Sequence, residues 1–299
     1  MKPNRILTSI VLALLILIWG TTWAAIRVSL EGLPPITGVG LRFAIAATVL
    51  LALAPAFGVR LGRSATERRL WLANSLLTFI IPYGVLYWAE QWVPSGLSAV
   101  IFATFPLLIA LIAHFALPGE RLTSRSVLGV LVGFAGVAVI FSEDFSRLGG
   151  RQVVVASIVM LGSPIVSAIA SVGAKKYGAG VHPMAMTGVP MLAAGILMSL
   201  LGAVVERGRP LALGGPALLA LLYLALAGSA VTFTLYYWLL RHLRASRVAL
   251  LAYMTPVLAV ATGVIFLHEP LTARIVAGGG LVIAGVALAA KARPGTAEA

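Results

Sequence analysis

Long apolar runs, cut by short charged connectors, constrain this chain more than any other feature. A helix rises about 1.5 Å per residue, so roughly 20 mainly apolar residues cross the hydrocarbon core of a bilayer. Ten such runs are present, at residues 6–26, 34–57, 70–89, 96–117, 126–142, 152–173, 184–205, 216–240, 248–267 and 274–290, the fifth and tenth being short. Connectors such as 91–95 and 117–124 are too brief to hold a soluble domain. A water-soluble protein carries roughly 25% charged residues; here 10% are charged and 60% hydrophobic. The chain is therefore expected to be all-α and integral to a membrane, with ten transmembrane helices.

The net charge of +13 does not point to nucleic acid. A nucleic-acid module lines basic residues along one face of a soluble element, whereas Lys and Arg here flank runs too apolar to face water. Their distribution follows the positive-inside rule. With the N-terminus in the cytoplasm and ten alternating runs, fifteen Lys and Arg fall inside, among them Lys2, Arg60, Arg121, Lys175, Arg247, Lys291 and Arg293, and six fall outside: Arg27, Arg147, Arg151, Arg207, Arg209 and Arg274. Both termini are thus expected to be cytoplasmic. The first run exceeds the 7–15 residues of a signal-peptide core and carries Trp19, Gly20, Thr21, Thr22 and Trp23, so it reads as a span rather than a cleaved leader. The absence of cysteine excludes disulfides and thiol chemistry.

The sequence also repeats itself. At an offset of 149, Glu120, Leu122, Thr123, Arg125 and Gly129 match Glu269, Leu271, Thr272, Arg274 and Gly278, and Ala135-Gly136-Val137-Ala138 matches Ala284-Gly285-Val286-Ala287. Upstream, an offset of 150 brings Pro106 onto Pro256, Ala99 onto Ala249, and Tyr87-Trp88 onto Tyr237-Trp238. Five runs per half is an odd number, so halves 1–148 and 149–299 are expected to enter the membrane from opposite sides. Inverted repeats with a site near the midplane between them are a transporter architecture.

The duplicated Glu-x-Leu-Thr before a Gly-rich final run, Trp19-Gly20-Thr21-Thr22-Trp23, Arg42 within Leu41-Arg42-Phe43, and a Pro in the fourth and ninth runs resemble the EamA family of the drug/metabolite transporter superfamily. The resemblance covers essentially the whole chain. It implies two five-helix repeats around a central cavity, cytoplasmic termini and a bacterial inner-membrane location. It further implies export of amino acids or related metabolites, as by exporters of the YddG type.

Aromatic and hydroxyl residues are the candidate cavity lining. Trp19 and Trp23 share a helix face with Thr22 beside them; Tyr83 and Tyr87 share another, which Glu90 continues. Thr78, Tyr236, Tyr237, and Ser163 and Ser167 in register with Ser171 complete the set. Such side chains stack on apolar substrates and bond polar groups. An interfacial belt is the other reading for aromatics, and it is preferred for Trp71, Trp88 and Trp92. Arg42 lies inside a span, where a charge faces the protein interior or a wet cavity. Substrate-carboxylate binding, pairing with a residue such as Glu90, and snorkelling are all open to it. His114 is expected to be packed and neutral. Pro106 and Pro256 are candidate hinges. Gly129, Gly133 and Gly136, with Gly278 and Gly285, are expected to pack helices within the chain rather than form a dimer seam.

Glu31, Glu90, Glu120, Asp144 and Glu269 all fall near run ends. Ion-driven carriers use buried carboxylates, so passive facilitation is expected, with proton linkage through Glu90 or His114 as the alternative mode. Lipophilic-compound efflux is the alternative substrate reading. An intramembrane enzyme would need a catalytic set, and Ser163, Ser167 and Ser171 have no accompanying base. No phosphate-binding GxxxxGK loop is present. No metal and no cofactor are expected. The expected partners are a small-molecule substrate and lipid, without nucleic acid, for a monomer or weak dimer.

Overall fold

The computed structural model describes residues 5–59, 61–62, 64–120, 122–142, 150–248, 251 and 254–290. Lys2, Arg60, Arg63, Arg121, Asp144, Arg147, Lys291, Arg293, the side chains of Arg5 and Arg247, and the repeat boundary after residue 148 lie outside it. The described residues are helical, without strands. Eight helices are long and apolar enough to cross a membrane: α1 Ile6–Ser29, α2 Pro35–Phe57, α3 Ala65–Ala89, α4 Ser95–Ala116, α5 Ser124–Phe141, α6 Arg151–Tyr177, α7 Pro183–Val205 and α8 Gly215–His242. Two shorter apolar helices follow, α9 Met254–Leu267 and α10 Ala273–Leu288.

Local chemistry sets the ends. Pro35 and Pro183 stand in the first turns of α2 and α7, where the missing N–H is not needed. Ser64 and Glu67 form a capping box at the start of α3. The Thr123 hydroxyl accepts from the Ser126 amide at the start of α5. His114, expected to be packed and neutral, accepts the Leu122 amide on Nδ1 at 3.1 Å and so ties the α4–α5 connector.

Four helices are interrupted, α6 by a turn at Leu161 between Arg151–Met160 and Gly162–Tyr177. A π-turn occupies Ser75–Ile80 in α3, just before Pro82, and another occupies Leu226–Val231 at the matching place in α8. Such turns release backbone carbonyls from the helical ladder and concentrate at functional sites. The α4 helix consists of Ser95–Phe102 and Phe105–Ala116. Its break immediately precedes Pro106, one of the two hinge candidates. Pro256 lies in the first turn of α9.

Glycines bring helices into backbone contact. Between α2 and α7, a Cβ added at Gly40 would stand 2.5 Å from the Ser199 nitrogen, at Gly195 2.6 Å from the Ala44 nitrogen, and at Gly202 2.5 Å from Thr37 Oγ1. Rising numbers on one helix meet falling numbers on the other, so the pair is antiparallel. The same holds for α5 and α10, where Gly136 abuts the Gly278 carbonyl and Gly285 the Gly129 carbonyl. The glycine stripe therefore packs within the chain. Around these pairs, α1 packs on α8 and α9, and α6 packs on α3 and α4. Large apolar side chains such as Ile6, Phe115, Leu200 and Phe266 point outward, while Arg42, Asn74, Glu90 and several Ser and Thr are buried inside.

Candidate functional site

An internal cavity of about 930 Å³, its mouth included, opens among α1, α2, α3, α4, α6, α8 and α9. Nine of the residues expected to line it do so: Trp19, Thr22, Trp23, Arg42, Thr78, Tyr83, Ser163, Ser167 and Tyr236. The hinge candidate Pro256 also reaches the wall. Ser171, in register with Ser163 and Ser167, lines it too, as do Phe102, Phe105, Phe233 and Thr255; single Phe and Thr residues in apolar runs gave no pattern by which to find those four.

Arg42 is the one charged side chain in the described lining. It is buried, and neither snorkels nor pairs with a carboxylate. Its Nε donates to Ser229 Oγ at 2.7 Å, one terminal nitrogen donates to the Gly228 carbonyl at 3.0 Å, and the other donates to Tyr87 Oη at 3.2 Å. Gly228 and Ser229 belong to the π-turn of α8, which frees that carbonyl. A Cβ at Gly228 would press to 2.8 Å from Thr22 Cγ2, so glycine lets α1 and α8 close around the guanidinium. The guanidinium carbon lies 4.8 Å from the Tyr83 ring centre, a cation–π arrangement. A guanidinium has five N–H donors; these three bonds leave two for a ligand.

The rest of the wall is aromatic. Trp19 meets Phe233 at 5.7 Å and Tyr236 at 5.5 Å, ring centre to ring centre. Tyr83 meets Phe43 at 5.0 Å, and Phe102 stacks on Phe105 at 5.5 Å. Hydroxyls are mostly committed: Tyr236 Oη donates to Ser171 Oγ at 3.0 Å, and Ser163 donates to the Pro82 carbonyl at 3.2 Å.

Three expected lining residues lie elsewhere. Tyr237 is turned away because its hydroxyl donates to Asn74 Oδ1 at 2.7 Å, in a buried knot with Thr78 and the Met186 carbonyl. Tyr87 sits behind Arg42 as its support. Glu90, one turn beyond Tyr87, is wholly buried outside the cavity. Its sequence position at a run end suggested a surface carboxylate; packing of the α3–α4 corner under α1 and the connector before α10 encloses it instead. The Arg27 guanidinium donates to the Glu90 carbonyl.

Glu269 and Glu120, the acidic residues of the duplicated motif, are helix caps. Glu269 accepts the Ser95 amide at 2.7 Å and the Gly96 amide at 3.0 Å, at the start of α4. Glu120 accepts the Ala245 amide at 2.9 Å, at the start of the helical turn Ala245–Val248. Each half thus caps the other. A further carboxylate, Glu206, caps α2 through Ile36 and Thr37 at 2.9 and 2.8 Å; no repeat signal had marked it.

A multi-span helical membrane protein enclosing an aromatic cavity, with one cation in its described lining, has the build of a small-molecule transporter. The comparisons agree. The EamA-like transporter family matches residues 7–142 and again 154–291, and the chain belongs to that family. It is 28% identical to the uncharacterized transporter YvbV of Bacillus subtilis, over 94% of this chain and 90% of that one. It is 31% identical to the uncharacterized inner membrane transporter YedA of Escherichia coli K12, over 83% and 79% of the two chains. A crystal structure 23% identical in sequence superposes with a TM-score of 0.73, covering 96% of this chain and 97% of the other, and shares the fold.

Proposed function

We propose that the chain exports small organic metabolites, foremost amino acids including aromatic ones, by alternating access through this cavity. In this reading α9 and α10 also span the membrane. Residues 1–148 and 149–299 are then two inverted five-helix repeats, with both termini in the cytoplasm of a bacterial cell and the protein in the inner membrane. The antiparallel pairing of α2 with α7 and of α5 with α10, and the reciprocal caps from Glu120 and Glu269, support an inverted relation. Tags at residue 1 and after residue 299 mapping to one side of the membrane fit this topology, and tags on opposite sides rule it out.

The observation that carries the substrate class is Arg42. One guanidinium with two donors left over, set among aromatic rings, suits a single carboxylate on an apolar or aromatic body. A lone cation gives no purchase on multiply phosphorylated molecules, and a wall without a carboxylate gives none on cationic drugs. The transported molecule is the partner this site implies, in a protein acting as a carrier rather than an enzyme.

Counterflow in proteoliposomes with radiolabelled amino acids, aromatic metabolites and their decarboxylated amines tests this. The acids are expected to exchange and the amines not. Arg42→Ala abolishes exchange, while Trp19→Ala lowers it about tenfold or more for aromatic substrates, the loss of one stacked ring and its buried area. Equal exchange of acids and amines, or unchanged exchange in Arg42→Ala, would overturn the assignment.

A further inference from the structure

The two halves are built alike, and at one corner they differ in chemistry while keeping the same packing. Between the matched pairs Tyr87/Tyr237 and Ala99/Ala249 the offset is a constant 150. It places Glu90, Ser95 and Ser98 on Leu240, Ala245 and Val248. The backbone agrees: Arg27 donates to the Glu90 carbonyl, and Lys175 donates to the Leu240 carbonyl at 2.6 Å. All six residues are buried, the first three and Ala245 and Val248 completely. The second half therefore fills this corner with an apolar Leu–Ala–Val set. The fold does not require a carboxylate or hydroxyls there.

The first half nonetheless buries them without partners. Both Glu90 carboxylate oxygens, Ser95 Oγ and Ser98 Oγ have no hydrogen bond. Ser98 is near enough to act on the Glu90 carboxylate, but not in bonding geometry. Ser95 Oγ and Glu269 Oε2 converge on Gly263, where an added Cβ would stand 3.1 and 2.4 Å from them. A buried polar atom without a partner has given up its bonds to water for nothing, and the cost is greater when it is charged. Four together, at a place whose counterpart is apolar, call for a ligand.

We propose that Glu90 and Ser98 form a proton-binding site whose occupancy is coupled to Arg42 in the cavity. One proton removes the unpartnered charge. The neutral carboxyl gains an O–H donor, and Ser98, the hydroxyl beside it, supplies the acceptor oxygen. A sodium ion fits less well, because two guanidinium groups face the site. The charged and titratable groups around Glu90 are Arg27 from α1, Arg42 from α2, Tyr87 from α3 itself and Glu269 from the connector before α10. Arg27 and Arg42 favour the carboxylate; Glu269 opposes it. A substrate carboxylate that neutralises Arg42 therefore strengthens proton binding at Glu90. By reciprocity a proton at Glu90 strengthens substrate binding at Arg42. The substrate limb of this coupling rests on the reading of Arg42 above; the proton site does not.

Infrared titration of the purified protein in lipid nanodiscs, which needs no substrate, tests the site. The carbonyl band of a neutral carboxyl is expected at neutral pH in the parent, and lost in Glu90→Leu, which copies the residue the second half packs. Should Glu90→Leu fail to fold, loss of the band in Glu90→Gln serves equally. Arg42→Gln is expected to move the pH at which the band fades upward, and Glu269→Gln to move it downward. A parent lacking the band, a band that survives both Glu90 substitutions, or shifts of the opposite sign overturn the proposal. So does a band abolished by sodium but not by choline, which makes the ligand a metal cation. Failure of amino-acid counterflow with the infrared result intact would fault the substrate reading alone.

Discussion

Removing the Glu269 carboxylate is expected to destabilise the protein by about 2–5 kcal/mol, because it accepts the two opening amides of α4. The first N–H groups of a helix lack intrahelical partners, and Ser95 and Gly96 open α4. Glu269 takes them with one oxygen each, at 2.7 and 3.0 Å. Both residues are buried, so water does not replace the lost acceptor. Each charge-assisted bond contributes about 1–2 kcal/mol in such a setting, and the negative charge at a helix N-terminus adds about 0.3–1 kcal/mol. Glu269→Gln keeps one acceptor oxygen and turns an amide donor toward the other N–H, so it is expected to lose at least half as much. Gly263 is part of the arrangement, since a Cβ there would stand 2.4 Å from the carboxylate. Thermal unfolding in detergent, followed by tryptophan fluorescence, reads the loss as a fall of on the order of 5–10 °C for Glu269→Ala. Glu120→Ala, which strips the Ala245 amide, is expected to act in the same direction, and additively, because the caps join different helix starts. A Glu269→Ala protein within 1 °C or so of the parent, or a Glu269→Gln protein indistinguishable from it, would refute the capping argument.

The α2–α7 seam gives a steric prediction: Gly195→Ala sets a methyl 2.6 Å from the Ala44 nitrogen, a backbone atom that cannot swing aside. The expected cost is about 1–3 kcal/mol, whereas Gly162→Ala in α6, with nothing within 4 Å, is neutral or stabilising; equal melting of the two variants would rule this out. The cap of α7 gives a pH prediction. His182 Nδ1 accepts the Met184 amide at 3.2 Å, and burial, then Arg241, hold its imidazole below the usual value near 6.5. A depressed folded value means the unfolded chain binds the proton first. This stabilisation is thus full above about pH 6.5 and is lost as pH falls through the folded value. His182→Asn, which keeps a capping oxygen without titrating, should flatten that decline, and an unchanged pH profile of melting would remove His182 as its cause.

What the sequence made legible follows from periodicity and strong chemistry. Apolar runs located the helices to within a few residues, the largest differences being the described start of α9 at Met254 rather than residue 248 and the start of α3 at Ala65 rather than residue 70. There the Ser64–Glu67 capping box extends the helix past its apolar stretch into polar residues. Arg42 stood out as a charge where none is cheap. Its actual acceptors did not, because Gly228 and Ser229 become available only through a π-turn that no local pattern announces. Tyr237 and Glu90 were misplaced for a related reason. A helical wheel ranks faces, but not which of two buried neighbours a hydroxyl will reach, nor whether a helix end is roofed by a distant connector. The acidic motif residues were legible as a repeat and illegible as caps, since capping across halves depends on where the partner helix begins.

Comparison of the halves separates scaffold from chemistry. Residues kept in both copies answer needs that both copies have: Glu120 and Glu269 cap, Pro106 and Pro256 stand in the first turns of their helices, and Gly136 and Gly285 let α5 and α10 touch. Arg27 and Lys175 show the same economy with different side chains, each closing the C-terminus of a third helix in its half. A symmetric scaffold by itself treats its two ends alike and offers a ligand nothing to distinguish them. Direction, coupling and selectivity must therefore reside where the copies part. Arg42, held by the π-turn of the opposite half, and the Glu90–Ser95–Ser98 corner that replaces Leu240, Ala245 and Val248 are such places. Both lie on the α2–α3–α4 side of the cavity and communicate through Tyr87, one turn from Glu90 and bonded to Arg42. The chemistry is thus concentrated in the first half, while the second supplies the carbonyl and hydroxyl that aim the guanidinium.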